Sequence, residues 1–296
     1  MRLGMNLPVM VPGLDRDTIL AWCRAIDAGP WDTLALGERI SFPNPEAITT
    51  LAAAAAVTER VEILFNVAVV PMHDPVLLAK QLATIDVISD GRLTVGVGVG
   101  GRAEDYRAVG AEWEGPKLTR LADGVARMRA VWGGEVVGGA RRPVEPFPVQ
   151  AGGPAILAGA LGPRSIARAA QWADGLLGFD FSFDAGAVGD AFDRYRRAWS
   201  DAGRQGAPRL ASGTWFALGD AEHDGDGRAQ MRTYLKRYLN FLEPATDDLI
   251  PLASITNGEA LAAAARRARD LGADDFVLTP TTASLDELHR AAEILG

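Results

Sequence analysis

Apolar positions along this chain fall into two alternating rhythms. Short, almost uninterrupted apolar runs are each followed by a longer stretch whose apolar residues recur three and four positions apart, the spacing of one helix face. Strands are predicted at 2–8 (RLGMNLP), 33–37 (TLALG), 61–70 (VEILFNVAVV), 93–99 (LTVGVGV), 155–159 (AILAG), 175–179 (GLLGF), 210–218 and 275–278. Helices are predicted at 15–28, 45–60, 75–88, 102–109, 119–132, 164–173, 185–202, 227–242, 259–271 and 285–295. Strands without polar alternation are covered on both faces, as in a parallel sheet clothed by helices. Eight strand-then-helix units in 296 residues predict an α/β fold, a (β/α)8 TIM barrel in a single domain spanning 1–296. An open doubly wound sheet is the alternative. Two stretches without a period, at about 133–154 and 243–256, are read as excursions, each able to form part of a lid.

The fourth strand is unusual. Leu93, Val95, Val97 and Val99 alternate with Thr94, Gly96 and Gly98, so one face is bulky and the other nearly bare. A strand is bare where another backbone or a flat ligand comes close. The glycines lie inside the strand, not in a turn that opens a helix, so the pattern does not match a dinucleotide fingerprint.

In a barrel, chemistry gathers at the C-terminal ends of the strands. Glu38 stands there, where a carboxylate binds substrate or moves a proton; an ion pair with Arg39 or another neighbour is the plainer reading. Asn66 interrupts an apolar strand and must find partners, either backbone or ligand. Gly159, Ala160, Leu161 and Gly162 form a turn ahead of Pro163, a geometry that serves a phosphate or is simply tight. His73 and Asp74 are read as the start of the helix at 75, Trp113 and Trp132 as packing residues, and Cys23 as a small core residue.

Composition narrows the classes. A formal net charge of -8 speaks against a nucleic-acid groove, and the clusters Arg194, Arg196, Arg197 and Arg266, Arg267, Arg269 read as solvated helix faces. One cysteine forms no intrachain disulfide, and three scattered histidines predict no metal site. No apolar run reaches the ~20 residues of a membrane helix, and the start of the chain lacks a signal-peptide pattern. A cytoplasmic protein is expected.

Taken in order, LGERI (36–40), VAVVP (67–71), AKQLAT (79–84), SDGRL (89–93) running into GVGVG (96–100), ADG (173–175), and GADD (272–275) leading into VLTP (277–280) resemble the luciferase-like monooxygenase family. These flavin-type oxidoreductases include bacterial luciferase and deazaflavin-dependent reductases. The match runs through nearly the whole chain; its specific part is SDGRLTVGVGVG with the preceding AKQLATID helix.

The resemblance implies a flavin or deazaflavin at the strand C-termini. It implies a bulge with a non-proline cis peptide late in the third strand, at Val67–Ala68. Asn6, Asn66, Val67, Ala68, Gly98, Val99 and Gly100 are the expected seat of the ring, and Gly159, Ala160, Leu161 and Gly162 of a phosphate. Glu38 and Arg39 are the candidate catalytic pair, although Arg39 stands where many relatives carry His. Asp123, after Arg120, stands where relatives commonly carry Glu. Arg39 and Arg102 are basic groups suited to a phosphate tail at the mouth. The expected cofactor is F420, with hydride transfer to or from a small organic substrate. The alternatives are an FMN-dependent monooxygenase using reduced flavin and O2, and a non-catalytic flavin-binding barrel. A homodimer is also implied.

Overall fold

In the computed structural model β1 (Arg2–Asn6), β2 (Thr33–Leu36), β3 (Glu62–Val69), β4 (Leu93–Gly98), β5 (Ala155–Ala158), β6 (Gly175–Phe179), β7 (Arg209–Phe216) and β8 (Asp275–Pro280) pair in chain order, and β8 returns to β1. Every pair is parallel, so the sheet is a closed barrel and the open-sheet alternative is set aside. The structure describes residues 1–242 and 244–296. Among them no helix is long and apolar enough to cross a membrane.

Helices α1 (Arg16–Ala28), α2 (Ala47–Val57), α3 (Pro75–Ile88), α4 (Ala103–Ala108), α5 (Lys117–Trp132), α6 (Pro163–Ala169), α7 (Ala185–Asp201), α8 (Gly227–Tyr238), α9 (Thr246–Leu249), α10 (Gly258–Asp270) and α11 (Leu285–Leu295) cover the outside. Local caps explain several bounds. Asp15 accepts from Thr18 N–H, and Asp74 accepts from Val76 and Leu77 N–H ahead of Pro75. α2 begins later than the expected 45 because Glu46 caps it, accepting from Ile48 and Thr49 N–H. α6 stops at Ala169 instead of running to 173; the chain turns there, and Arg129 then takes the Trp172 carbonyl and the Asp174 carboxylate. α8 ends at Tyr238, and a separate 3-10 turn follows at Asn240–Leu242.

The two faces of β4 behave as their alternation predicts. Leu93, Val95 and Val97 join the core between sheet and helices. Inside the barrel a second cluster forms from Ala35, Leu64, Leu157, Leu177, Ala211 and Val277, with Val67 packed on it. Above Thr94, which accepts from Arg209 Nη1 at the lower rim, β4 adds only glycines to that interior. A Cβ on Gly96 would stand 2.5 Å from both Leu177 Cδ2 and the Phe65 carbonyl oxygen, and 3.1 Å from Val67 Cγ1. The close neighbours at this level are therefore one carbonyl and two side chains, not a flat ligand.

Charges close the N-terminal end. Arg209 pairs with Glu62 and with Asp275 at 2.7 Å each, and Arg2 joins the same two acids at 2.8 and 3.0 Å. These residues start β7, β3, β8 and β1, so the lower rim is tied across the barrel by paired charges.

The excursion at 133–154 lies at this closed end, which overturns its reading as part of a lid. The buried carboxylate of Asp86, in the last turns of α3, accepts from the N–H groups of Val149 and Gln150 and from Gln150 Nε2. Gln150 Nε2 also reaches the carbonyl of Leu93, the first residue of β4. The second excursion follows β7 and lies toward the open end, with Ala217 N–H donating to Ile255 O. It holds α9 and a 3-10 turn at Ile250–Leu252; Glu243, where the excursion was expected to begin, lies outside the described residues.

Gly96→Ala is expected to lower stability by about 1–3 kcal/mol, the usual range for overpacking a core. In urea unfolding the midpoint should fall at unchanged slope. An unmoved midpoint would show that β4 accepts a side chain there.

Candidate active site

Two amides open the mouth. Asn6, at the end of β1, donates through Nδ2 to Leu278 O and Thr279 Oγ1, each at 3.0 Å. Its Oδ1 accepts from Asn66 Nδ2 at 3.2 Å. Polar groups this deep need partners, and these ones join β8, β1 and β3 at one level. Next to them the floor is bare. Val67 methyls lie 3.1 and 3.2 Å from where a Cβ would stand on Gly98 and Gly159. One valine thus fills the room left by glycines on β4 and just after β5.

Val67 reaches that place because β3 holds one extra residue. Phe65 pairs with Val95 and Ala68 with Val97, three steps on β3 against two on β4. Asn66 and Val67 both turn to the interior. The non-proline cis peptide lies between Asn66 and Val67, one residue earlier than expected, because the register break centres on those two residues. Ala68 has already turned outward into the helix-side core and presents no side chain to the mouth.

The bulge also fixes Glu38. β2 last pairs with β3 at Leu36 and Phe65. Beyond that point Gly37 passes the bulge, where a Cβ would stand 2.9 Å from the Asn66 carbonyl. The Val69 N–H has lost its neighbour on β2, and Glu38 Oε2 accepts from it at 2.7 Å. Glu38 Oε1 meets His73 Nε2 at 2.8 Å. The glutamate side chain is 1% exposed and the imidazole 18%. Burial alone would push the His73 pKa down. The hydrogen bond and charge of Glu38, with help from Glu46, outweigh it and hold the imidazole above its ordinary value.

Glu38 does not pair with Arg39. The Arg39 guanidinium points instead to Asp105 Oδ2 at 2.6 Å and Glu104 Oε1 at 2.8 Å. Glu38 and Arg39, neighbours in the chain, therefore serve separate polar clusters. Arg102 lies against Tyr238 and Phe241 and donates to the Tyr238 carbonyl at 2.9 Å. Further aromatic rings gather beyond β6 and β7: the Trp215 centroid is 4.5 Å from that of Phe179, 5.0 Å from Phe181 and 5.7 Å from Tyr238.

The remaining expected positions separate. Val99 and Gly100 continue past β4, with Gly100 at a φ of +63° beside Val69. Ala160 is buried, while Leu161 is 72% exposed. α6 is one short helix, and its capping Gly162 N–H is already taken by Ser165 Oγ at 3.1 Å. Asp220, Glu222 and His223 bring ligand-type atoms within 4.8 Å of one another. Both nitrogens of His223 are occupied, however, by Asp220 and Thr233.

A barrel with a bare, flat floor at its mouth, side-chain amides on one side and a buried carboxylate–imidazole pair on another defines a class: a barrel able to seat a planar cofactor at its strand ends. The floor formed by Val67, Gly98 and Gly159 fits a flat ring, since no side chain larger than valine rises from it. The family model for luciferase-like monooxygenases matches residues 1–292, and the chain belongs to that family.

A similar curated protein, an uncharacterized protein of Mycobacterium tuberculosis, is 32% identical over 170 residues, covering 55% of this chain and 59% of that protein. The match thus spans about three-fifths of the length of that relative. Among solved structures, monooxygenase RslO1 from Streptomyces bottropensis superposes with a TM-score of 0.79 at 22% identity, covering 100% of this chain and 96% of the other. An F420-dependent secondary alcohol dehydrogenase, solved with an F420–acetone adduct, gives 0.78 at 15% identity, covering 99% and 97%. At such identities these structures share the fold.

His73 is expected to titrate above the ordinary imidazole value of ~6.5, and Glu38→Gln should bring it down, because burial then acts with less opposition. NMR of the ring protons reads both midpoints. The sign for stability follows. A raised histidine pKa stabilises the fold fully below the unfolded value, and that contribution fades as pH rises through the folded value. The advantage of the wild type over Glu38→Gln should narrow over that rise. A His73 midpoint indifferent to Glu38 would break the pair.

Proposed function

We propose that this chain is an F420-dependent oxidoreductase acting on a small organic substrate, as one barrel domain and as a homodimer in the cytoplasm. When bound, F420 exchanges a hydride with an organic substrate. Asn6, Asn66, Val67, Gly98, Val99 and Gly100 seat the ring, Ala68 contributes only main chain, and Gly159, Ala160, Leu161 and Gly162 hold the tail.

The observation that carries this reading is the contact between Glu38 and His73. Oxidising an alcohol, or reducing a carbonyl, moves one proton in addition to the hydride. A buried carboxylate against an imidazole raised above its ordinary value can hold and release such a proton. Glu38 engages Nε2, which leaves Nδ1 to face the substrate, accepting a proton in one direction and giving it back in the other. Arg39 takes no part in this transfer. Its guanidinium is committed to two acids.

Titrating the purified protein with F420 and with FMN, followed by fluorescence, tests the cofactor. F420 should bind more tightly; tighter FMN would reverse the assignment in favour of the monooxygenase. Gly159→Asp should weaken cofactor binding about tenfold or more through charge repulsion at the tail; Leu161→Asp, at a 72% exposed position of the same turn, should weaken it with an unchanged unfolding midpoint. Unaltered affinity would take the turn out of the site.

His73→Gln should lower kcat by about 10²–10⁴, the range for removing a general acid–base group. Cofactor affinity should hold. A loss of cofactor affinity of the same size would make His73 part of the seat and not the proton carrier.

A further inference from the structure

Arg39 and Arg102 approach each other across two aromatic rings. Phe42 and Tyr238 stand edge to face with centroids 6.1 Å apart. The Arg39 guanidinium carbon is 4.7 Å from the Phe42 centroid, and that of Arg102 is 4.4 Å from Tyr238 and 4.2 Å from Phe241. Their charges are balanced differently. Arg39 has both Asp105 and Glu104. Among the described residues Arg102 forms no ion pair and has one hydrogen bond, to the Tyr238 carbonyl. Burial pushes its guanidinium below the usual value, and the charge of Arg39 adds to that fall.

Each arginine also keeps a buried donor without an acceptor. On Arg39 it is Nη1 and on Arg102 it is Nε. The Arg39 side chain is 2% exposed, so bulk solvent does not reach it. A buried donor left unmade costs on the order of 1–3 kcal/mol. Two such donors, on cations close enough for the charge of Arg39 to act on Arg102, can be met together by a single anion. Guanidinium groups suit that role through charge-assisted, often bidentate, hydrogen bonds.

We propose that Arg39 and Arg102 bind an anionic group, a carboxylate or phosphate, carried by the substrate. The location favours substrate over cofactor. Arg39 and Arg102 follow β2 and β4, whereas the turn assigned to the cofactor tail follows β5. The substrate class is then a small hydroxy or oxo compound bearing an acid group. That class rests on the oxidoreductase reading above; the anion site does not.

The test is calorimetric titration of the full chain, at low salt, with benzoate and with benzamide, its uncharged counterpart. Benzoate should bind about tenfold or more tightly than benzamide, as loss of a charge-assisted bond predicts, and inorganic phosphate should compete with it. Arg102→Met should abolish the preference for benzoate while leaving F420 affinity unchanged. Arg102→Lys keeps the charge and should retain part of the preference, and it carries the test if the methionine variant fails to fold by circular dichroism. Equal binding of benzoate and benzamide by the wild type would overturn the proposal. So would a fall in F420 affinity with benzoate binding intact, because the anion held would then be the cofactor's own phosphate. Arg102-dependent benzoate binding in a protein that takes neither F420 nor FMN would uphold the anion site and sink the oxidoreductase reading instead.

Discussion

The extra residue between Phe65 and Ala68 is the constraint on which the mouth of this barrel depends. A strand holds its alternation rigidly, because a shift of one residue moves every side chain to the other face. Here the shift is confined to two residues, so Asn66 and Val67 both enter the interior while Phe65 and Ala68 stay outside. The interior then has to make room. Gly96 and Gly98 on β4 and Gly159 after β5 are that room, and Gly37 on the neighbouring side clears the Asn66 carbonyl. The glycines of the fourth strand are thus one half of a fit whose other half is a single valine.

The same shift produces the polar side of the site. By leaving β2, the bulged strand frees a backbone N–H at Val69, and a buried N–H needs an acceptor. Glu38 supplies it, and its second oxygen is thereby aimed at His73. The position of a candidate proton carrier follows from strand pairing. At the opposite rim the charged residues have no such freedom. Arg209, Glu62, Asp275 and Arg2 are mutually paired across the start of four strands. The lower end is closed by satisfied charges and the upper end carries the unsatisfied ones, so the two rims divide stability and chemistry between them.

Much of this was legible in the order of residues. Alternation along 93–99 told which face of β4 was bare, and proline and acid signals placed the starts of α1 and α3. What the bare face receives was not legible, because Val67 and Leu177 reach Gly96 only once the barrel closes. His73 shows the limit most clearly. Beside Asp74 and Pro75 it reads as part of a helix start, and Asp74 is indeed the cap. His73 lies on the far side of a strand, and only the tertiary fold brings it to Glu38. The excursion at 133–154 misled for a related reason. Its Gly and Pro content says loop, but which end of the barrel it covers depends on Asp86, whose carboxylate no local pattern singles out.

The charge states of Glu38 and His73 also bear on how the pair can work repeatedly. With the imidazole protonated, the two form a buried ion pair of zero net charge, whose mutual attraction offsets the desolvation of each. When His73 gives up its proton, the carboxylate remains buried, and a lone buried charge is costly unless other donors hold it. Two do. The Val69 N–H stays in place because strand pairing put it there, and the neutral imidazole still has Nε2–H to donate. Neither depends on the proton that has left. The carboxylate therefore keeps its orientation through both states. A pair held by the backbone in this way needs no rearrangement when its protonation changes, the preorganisation that a proton carrier at a barrel mouth would require.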